Sequence, residues 1–139
     1  MERNKRQKMI RLKIRKEMKE HFADEEYILT RIWNDFEIVE LISPELLKNK
    51  EFMTKVVRIN GMALQYASKE LRDNRQFVMT AVQNSSGFAL KYASKRLRAD
   101  REIVYEAVKR WKSPLEYASQ ELQDEINKII DDYYSKHDI

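Results

Sequence analysis

Apolar and polar positions follow a pattern that the chain repeats several times. The stretch "ALQYASKELRDNRQFV" at residues 63–78 returns as "ALKYASKRLRADREIV" at residues 89–104, and "PLEYASQEL" begins at Pro114. The serine shared by these copies recurs at intervals of 26 and 25 residues. Self-similarity at such a period is typical of proteins built from stacked structural repeats.

Weaker copies of the same unit precede these. "SPELLKNKEF" from Ser43 matches "SKELRDNRQF" from Ser68, and "YILTRIW" from Tyr27 resembles "FMTKVVR" from Phe52 and "FVMTAVQ" from Phe77. The chain therefore holds four copies of each half of the unit. We call these halves helix A and helix B, since each carries apolar residues at helical spacing.

Polar residues mark where the helices begin and end. A short polar residue precedes every helix B, and such side chains accept hydrogen bonds from the first N–H groups of a helix. Gly61 and Gly87 follow two of these helices and are predicted to adopt the left-handed conformation that ends them. The predicted caps are Asp24, Asn49, Asn74 and Asp100.

Pro44 predicts a break before the end of helix A. Proline disfavours helical geometry in Ser43, the residue before it, so this serine is expected to cap a new turn. Ser68 and Ser94 are expected to break their helices in the same way. The alternative is an unbroken helix in which the serine bonds back to a carbonyl.

One such unit cannot bury two apolar faces, but stacked units bury each other. The prediction is an all-α fold: a short right-handed α-solenoid of about four helix-pair repeats of 25–26 residues, at residues 23–112 of a single domain covering 1–139. Residues 1–22 are predicted to form an N-terminal capping helix, and residues 113–139 one long C-terminal helix that closes the other end. The last linker is shorter than the others, which favours an unbroken helix there. Its predicted cap is Ser113, with Pro114 at its first position, and the N-terminal helix is predicted to pack through Ile10, Ile14, Met18 and Phe22.

The "ALxYAS" phrase, followed by Leu, an Asp or Asn cap and a cation, resembles the repeat of the helical-repeat family known as domain of unknown function 4116. Residues 63–82 and 89–108 carry the resemblance most clearly, residues 114–122 partly and residues 36–57 weakly. The resemblance implies tandem helical repeats. It implies no catalytic residue, because the family has no assigned activity.

Candidate chemistry is sparse. The chain has no cysteine and two histidines, His21 and His137, which do not have the spacing of metal ligands. It also has no glycine-rich phosphate loop. We therefore expect no catalysis, no metal and no cofactor. Without a long apolar run, the chain is expected to be a soluble cytoplasmic protein, and membrane binding is not favoured.

Charge is concentrated at the N-terminus. The chain carries a net charge of +4, of which residues 1–20 contribute +6 and the remainder about −2. Three interpretations compete: a solvated face of the capping helix, a contact with nucleic acid or ribonucleoprotein, and a contact with an acidic protein or membrane. The candidate residues are Lys8, Arg11, Arg15 and Lys19.

Two tryptophans stand where the other units place polar residues. Trp33 and Trp111 are candidates for exposed binding anchors. Alternatively, Trp33 packs under the N-terminal helix and Trp111 against the last helix. Of Tyr133 and Tyr134, one is expected to face the core and the other to be exposed. The candidate partner-binding residues are Trp33, Trp111, Tyr134, Arg58, Lys109 and Arg110.

A row of cations also follows the repeat. In three units a cation comes directly after the helix-B cap, where it opposes the helix dipole. Stacking would align these cations along one edge that could meet phosphates or an acidic protein. The alternative is a mixed, solvated edge, because acidic residues are interleaved. The row, which we call the cationic edge, comprises Lys50, Lys69, Arg72, Arg75, Lys95, Arg98 and Arg101.

These patterns favour a non-catalytic interaction module, a protein-binding adaptor or an inhibitor that acts by occlusion. The alternative is nucleic-acid or ribonucleoprotein binding through the basic N-terminal helix and the cationic edge. A third and weaker hypothesis is an enzyme subunit whose chemistry belongs to its partner.

Overall fold

The computed structural model of the chain describes residues 2–21, 24–33 and 35–137, except for the side chains of residues 18 and 19. Over these residues the chain is all-α, with α-helices and 3₁₀ segments and no strand. Phe22 and the side chain of Met18, through which the N-terminal helix is predicted to pack, lie outside the described part. The α-helices are α1 (Glu2–His21), α2 (Glu25–Ile32), α3 (Pro44–Lys48), α4 (Lys50–Ile59), α5 (Lys69–Arg72), α6 (Arg75–Gln83), α7 (Arg101–Val108) and α8 (Gln120–His137).

Helix B takes the form predicted for it in α2, α4, α6 and α7. The four predicted caps are confirmed, since each side-chain oxygen accepts from the N–H three residues further on, at 3.1 Å for Asp24, 2.9 Å for Asn49, 3.0 Å for Asn74 and 3.2 Å for Asp100. These bonds satisfy N–H groups that have no partner inside the helix.

Helix A differs from its predicted form. Its first part is a 3₁₀ segment, and both 3₁₀ and α geometry bring residues three apart to one side, so the apolar pattern does not separate them. The predicted break is confirmed at Ser43, Ser68 and Ser94, whose hydroxyls each accept a backbone N–H bond at 3.3 Å. The 3₁₀ segments are Phe36–Leu41, Gly61–Tyr66, Phe88–Tyr92, Leu97–Ala99 and Ser113–Tyr117.

The prediction of one unbroken C-terminal helix is wrong. The chain forms a 3₁₀ segment, extends at Ala118 (φ −74°, ψ 164°) and only then enters α8. Ser113 is not the cap, because the 3₁₀ segment starts at Ser113 itself and Lys112 precedes it. The break is held by the N–H of Ser119, which donates to the carbonyl of Arg98 at 2.9 Å.

The same backbone bond joins the preceding pair of units, where the Ser94 N–H donates to the Arg72 carbonyl at 2.9 Å. Each bond ties the serine that follows the extended alanine of one unit to the end of helix A in the unit before it. The break in the last unit is therefore a property of the repeat, and the shortened linker does not remove it.

The two glycines serve partly different purposes. Gly87 has a φ of +89°, which confirms the predicted left-handed end of α6. Gly61 has no positive φ, so the prediction is wrong there. A Cβ on Gly61 would lie 1.9 Å from the Ala81 carbonyl oxygen, and one on Gly87 would lie 1.9 Å from that of Ala107. Both glycines therefore allow close approach between successive helices.

Successive units pack on one another. Helix α2 packs against α4, α4 against α6 and α6 against α7, while the 3₁₀ segments of helix A contact one another in the same order. One apolar core extends through these layers from Ile28 to Ile126.

The two terminal helices extend beyond this core. Ile14 of α1 packs against the core, but Ile10 is half-exposed, so its predicted packing is wrong. Residues 2–13 are all exposed, as are residues 131–137 of α8. Within the described ranges, none of the helices combines the length and the apolar character needed to cross a membrane.

Candidate partner-binding surface

The C-terminal ends of the B helices lie on one side of the molecule. Gly61, just past α4, touches Ala81 near the end of α6, and Gly87, just past α6, touches Ala107 near the end of α7. Helices α4, α6 and α7 therefore run parallel, and α2, which packs on α4, occupies the equivalent position in the repeat. We call the side on which they end the helix-end surface. Its residues are Trp33, Arg58, Gln83, Lys109, Arg110 and Trp111.

Trp33 lies directly after α2 at one end of this surface. Its side chain is 72% exposed, so the alternative that it packs under the N-terminal helix is wrong. It borders a shallow depression together with Leu29 and Thr30 of α2 and Lys55 of α4. An indole ring beside an open depression is well placed to enter a pocket of another molecule.

Trp111 lies at the opposite end of the surface, after α7. It is 56% exposed, so α8 does not cover it as the packing alternative required. Helices α4 and α6 separate the two tryptophan-bearing helices. With about 8–10 Å between neighbouring helix axes, a straight row of these four helices would place the two ends of the surface about 25–30 Å apart.

Cations lie between and beside the tryptophans. Arg58 is in the last turn of α4, and Lys109 and Arg110 border a depression between α6 and α7. The ammonium group of Lys109 lies 3.9 Å from the carboxylate of Glu106. Cations at these positions also complement the negative end of the helix dipole, which gives them a structural role.

Tyr134 is placed on a different element, the exposed end of α8. Its ring meets that of Tyr133 edge-on at 5.8 Å, and Tyr133 stacks on His137 at 4.2 Å. Both tyrosines are about half-exposed, so the expectation that one of them faces the core is wrong.

Arg75 and Arg101 of the cationic edge form ion pairs between units. Arg75 pairs with Asp100 at 2.9 Å and also with Glu102, and Arg101 pairs with Glu125 at 2.6 Å. Arg72 and Arg98 are partly buried, and the structure shows no hydrogen-bond partner for their Nε atoms among the residues it describes. Lys50, Lys69 and Lys95 are exposed. Acidic partners are interleaved with exposed cations along this edge, as the alternative of a mixed, solvated edge predicts.

A further contact between units was not anticipated from the sequence. Asp73 accepts from the Ser94 hydroxyl at 2.5 Å and from the Arg96 guanidinium at 3.0 Å. The hydrogen bond from Ser94, followed by that from Arg96, lowers the pKa of Asp73. The residues lie more than 20 positions apart. In the sequence, the predicted break at Ser94 was the feature that could have indicated a hydroxyl facing a neighbouring unit.

The N-terminal cations remain on the surface of α1. Lys8 and Arg15 are exposed, and Arg11 pairs with Glu37 at 2.8 Å. The side chain of Lys19 lies outside the described part. Met9 and Leu12, which the sequence pattern did not single out, are exposed apolar residues among these cations. Both residues lie outside the stripe that contains Ile10 and Ile14, and this position could have indicated that they are exposed.

These contacts define the class: an all-α protein in which successive copies of a sequence repeat pack on one another. A family model described as Domain of unknown function (DUF4116) matches residues 49–86 and 74–123, which together make up more than half of the chain. The chain belongs to this family. No curated protein and no solved structure matches it significantly.

Proposed function

We propose that the chain is a non-catalytic protein-binding module, a short right-handed α-solenoid of about four repeats that works in the cytoplasm as an adaptor or as an inhibitor by occlusion. The observation that carries the proposal is the exposure of both tryptophans on the helix-end surface. A tryptophan side chain that stays in water does not add its large hydrophobic free energy to the stability of the fold. Tryptophan is also enriched among the residues that dominate binding at protein interfaces.

The spacing of the anchors favours a macromolecular partner. An occupant that reaches Trp33 and Trp111 together must span about 25–30 Å along a straight row of these helices, which suits an interface of about 800 Å² on each partner. The cations between the anchors favour a partner with an acidic rim around apolar pockets.

The test is affinity purification followed by measurement of binary binding with the recombinant partner. Removing both indoles in Trp33→Ala/Trp111→Ala should weaken binding by about 30-fold or more, the effect of truncating one dominant interface residue. Circular dichroism should be unchanged, because both side chains are exposed. The control is Tyr105→Ala, an exposed aromatic residue in the middle of α7 that also loses a hydrogen bond to Glu125 of the next unit.

If the double variant bound the partner with wild-type affinity, the two tryptophans would not be the binding anchors. Equal weakening in the double variant and in Tyr105→Ala would point to a general effect on the fold.

The exposed cations of α1 favour a second candidate function, binding of nucleic acid or ribonucleoprotein. The logarithm of the affinity in such binding falls linearly with the logarithm of salt concentration, with a slope set by the number of phosphates neutralised. Replacing Lys8, Arg11, Arg15 and Lys19 by Gln should make the slope shallower by about 0.7–0.9 for each phosphate that is no longer neutralised. The corresponding variant with Gln at Lys50, Lys69 and Lys95 tests whether the cationic edge contributes to this slope. If the wild type binds no nucleic acid even at low salt, this function is ruled out.

A further inference from the structure

Asn60 is the one asparagine in the chain that a glycine follows. In an Asn–Gly pair the glycine nitrogen can attack the side-chain carbonyl carbon of the asparagine, because glycine carries no side chain to hinder the approach. A C–N bond forms, the side-chain nitrogen leaves as ammonia, and a succinimide ring results. Water then opens the ring at either carbonyl and yields aspartate or isoaspartate. The chain therefore carries a site for spontaneous deamidation directly after α4.

The fold requires both residues of this pair. The side-chain oxygen of Asn60 accepts from the Met62 N–H at 3.0 Å and so caps the 3₁₀ segment Gly61–Tyr66. Gly61 leaves room for the Ala81 carbonyl, whose oxygen would lie 1.9 Å from a Cβ. The labile pair is therefore part of the contact between α4 and α6, and a larger residue at Gly61 would conflict with that contact.

The folded backbone keeps the two reacting atoms apart. Ring closure requires the Gly61 nitrogen to be nearly eclipsed with the Asn60 Cβ about the Cα–C bond, which needs a strongly negative ψ in an L-residue. Asn60 has a φ of −151° and a ψ of 111°, so this nitrogen points away from the side chain. Its N–H also donates to the carbonyl of Asn84 in the next unit at 3.0 Å, and Gly61 is buried. The reaction therefore cannot start while this bond is in place.

We infer that Asn60 is a modification site controlled by the contact between α4 and α6. Local opening between stacked units breaks the Gly61–Asn84 bond and frees the backbone angles of Asn60, so the reaction proceeds only from the open form. The rate of deamidation is then the rate in the unfolded chain multiplied by the fraction of molecules that are open at this contact. Deamidation therefore records how often the stack has opened there.

The two products differ in their effect on the fold. Aspartate at position 60 keeps an oxygen that accepts from the Met62 N–H. Isoaspartate carries the main chain through the former side chain, which lengthens the backbone before Gly61 by a methylene group. Because the Ala81 carbonyl leaves no space beside Gly61, the lengthened chain cannot restore the bond to Asn84. Opening that leads to isoaspartate is therefore irreversible.

The test is the rate of deamidation in the full chain, incubated at mildly alkaline pH in buffer and in concentrated urea. Samples are digested with pepsin in acid, where the reaction is slow, and mass spectrometry measures conversion of the peptide that contains Asn60. The folded chain should react at least about tenfold more slowly than the unfolded chain, which corresponds to an opening free energy of about 1.4 kcal/mol or more. Asn74 and Asn84 are followed by Arg75 and Ser85, so in urea they should convert much more slowly than Asn60.

Two matched truncations locate the opening. Leu64→Ala removes a buried side chain from the 3₁₀ segment that Asn60 caps and should accelerate deamidation of the folded chain by about tenfold or more. Leu122→Ala makes the same deletion in α8, at the far end of the stack, and should stay within about threefold of the wild-type rate. In urea all three chains should react alike, because their sequences next to Asn60 are identical. If circular dichroism shows that Leu64→Ala does not fold, Val57→Ala, a smaller truncation in α4, takes its place.

Three results would overturn the inference. Equal rates in buffer and in urea would show that the fold does not protect Asn60. Equal acceleration by Leu64→Ala and Leu122→Ala would show that the whole chain must unfold before the reaction. A wild-type urea midpoint in the purified isoaspartate product would show that the fold tolerates the longer backbone. None of these measurements needs a partner, so their outcome is separate from that of the proposed protein binding.

Discussion

Gly87 shows how closely successive helices approach at the scale of a single residue. Its φ of +89° suits glycine alone among common residues, and its Cα faces the Ala107 carbonyl with no room for a methyl group. Gly61 makes the corresponding approach to Ala81 without the unusual backbone angle. Gly61 therefore shows the requirement for close approach alone, whereas Gly87 shows both close approach and a positive φ.

Gly87→Ala should destabilise the protein more than Gly61→Ala. Backbone strain alone costs about 1–3 kcal/mol for a side chain held in the left-handed region. Both variants add the steric conflict with a backbone carbonyl. The measurement is the free energy of unfolding from urea titration. Gln83→Ala, an exposed helical position nearby, is the control and should stay within about 0.5 kcal/mol of wild type. Equal destabilisation by the two glycine variants would contradict the assigned role of φ.

Residue-level prediction from the sequence succeeded where the interaction is local. The cap at Asn74 depends on an N–H three residues away, so its identity and position were sufficient. The role of Gly61 depends on Ala81, in the next unit, and no local pattern shows that contact.

Helix α1 divides into an outer part and an anchored part at the scale of one element. Contacts with the body begin at Arg11 and Ile14 and continue at Glu17, whose carboxylate accepts from the Tyr27 hydroxyl at 3.2 Å. The preceding turns contribute only exposed side chains. Without tertiary packing, so short a helical stretch is marginal in water.

Deleting residues 2–9 should therefore change the free energy of unfolding by no more than about 0.5 kcal/mol. Ile14→Ala should cost about 1 kcal/mol, because its side chain is partly buried against the core. Both are measured by urea titration at low protein concentration. A large destabilisation on deletion would show that the outer turns support the core.

The form of helix A was harder to predict than its existence. The apolar spacing around Leu64 fits α and 3₁₀ geometry alike, and the choice depends on the extended residue Ala67 that follows. The break at Ser68 was predictable because Pro44 marks the equivalent position. The break before Ser119 was missed, since the bond to Arg98 that holds it joins two units.

Charged contacts between successive units couple the stack at the scale of the whole molecule. The hydrogen bond from Arg101 lowers the pKa of Glu125. Burial acts to raise the pKa of Asp100, but bonds from Arg75 and the Ile103 N–H outweigh it and lower this pKa. Asp73, bonded to Ser94 and Arg96, also has a lowered pKa. Each of these carboxylates is bonded to a residue of an adjacent unit.

Acid should therefore loosen the contacts between units. A carboxylate with a lowered pKa in the folded state stabilises the fold above its ordinary pKa and loses that contribution as pH falls through the folded value. The ordinary values are 4.5 for Glu125 and 3.8 for Asp73 and Asp100. The urea midpoint should thus be steady at neutral pH and fall progressively below about pH 4.5.

Neutral variants test the assignment of this pH dependence. Glu125→Gln and Asp100→Asn should each make the fall with pH shallower, and Asn at position 100 keeps the helix cap. Asp131→Asn, on the exposed end of α8, should leave the slope as in the wild type. An unchanged slope in all three variants would mean that other groups set the acid sensitivity.

The candidate surface was predictable in its residues but not in its arrangement. A tryptophan where other units have Arg58, Gln83 or Lys109 made Trp33 a candidate for an exposed position, with packing as the alternative. Whether α1 covered Trp33 depended on the direction in which α1 leaves the core, and the sequence leaves this open. The ion pairing of Arg75 and Arg101 likewise depends on partners at least 24 residues away.

The junctions themselves bear on how such a chain could lengthen. Residues 75–100 contain both Arg75 and its partner Asp100, as well as the serine that bonds to the preceding unit. A tandem duplication of this segment would regenerate the backbone bond and the Arg75–Asp100 pair, because Ser94 of the new copy would face Arg98 of the old one as Ser119 does. The new junction would lack the contacts to Asp73 and Glu102, because Ala99 and Gln76 would stand in their places. Growth by internal duplication would therefore keep the backbone bond and the Arg75–Asp100 pair at each added unit.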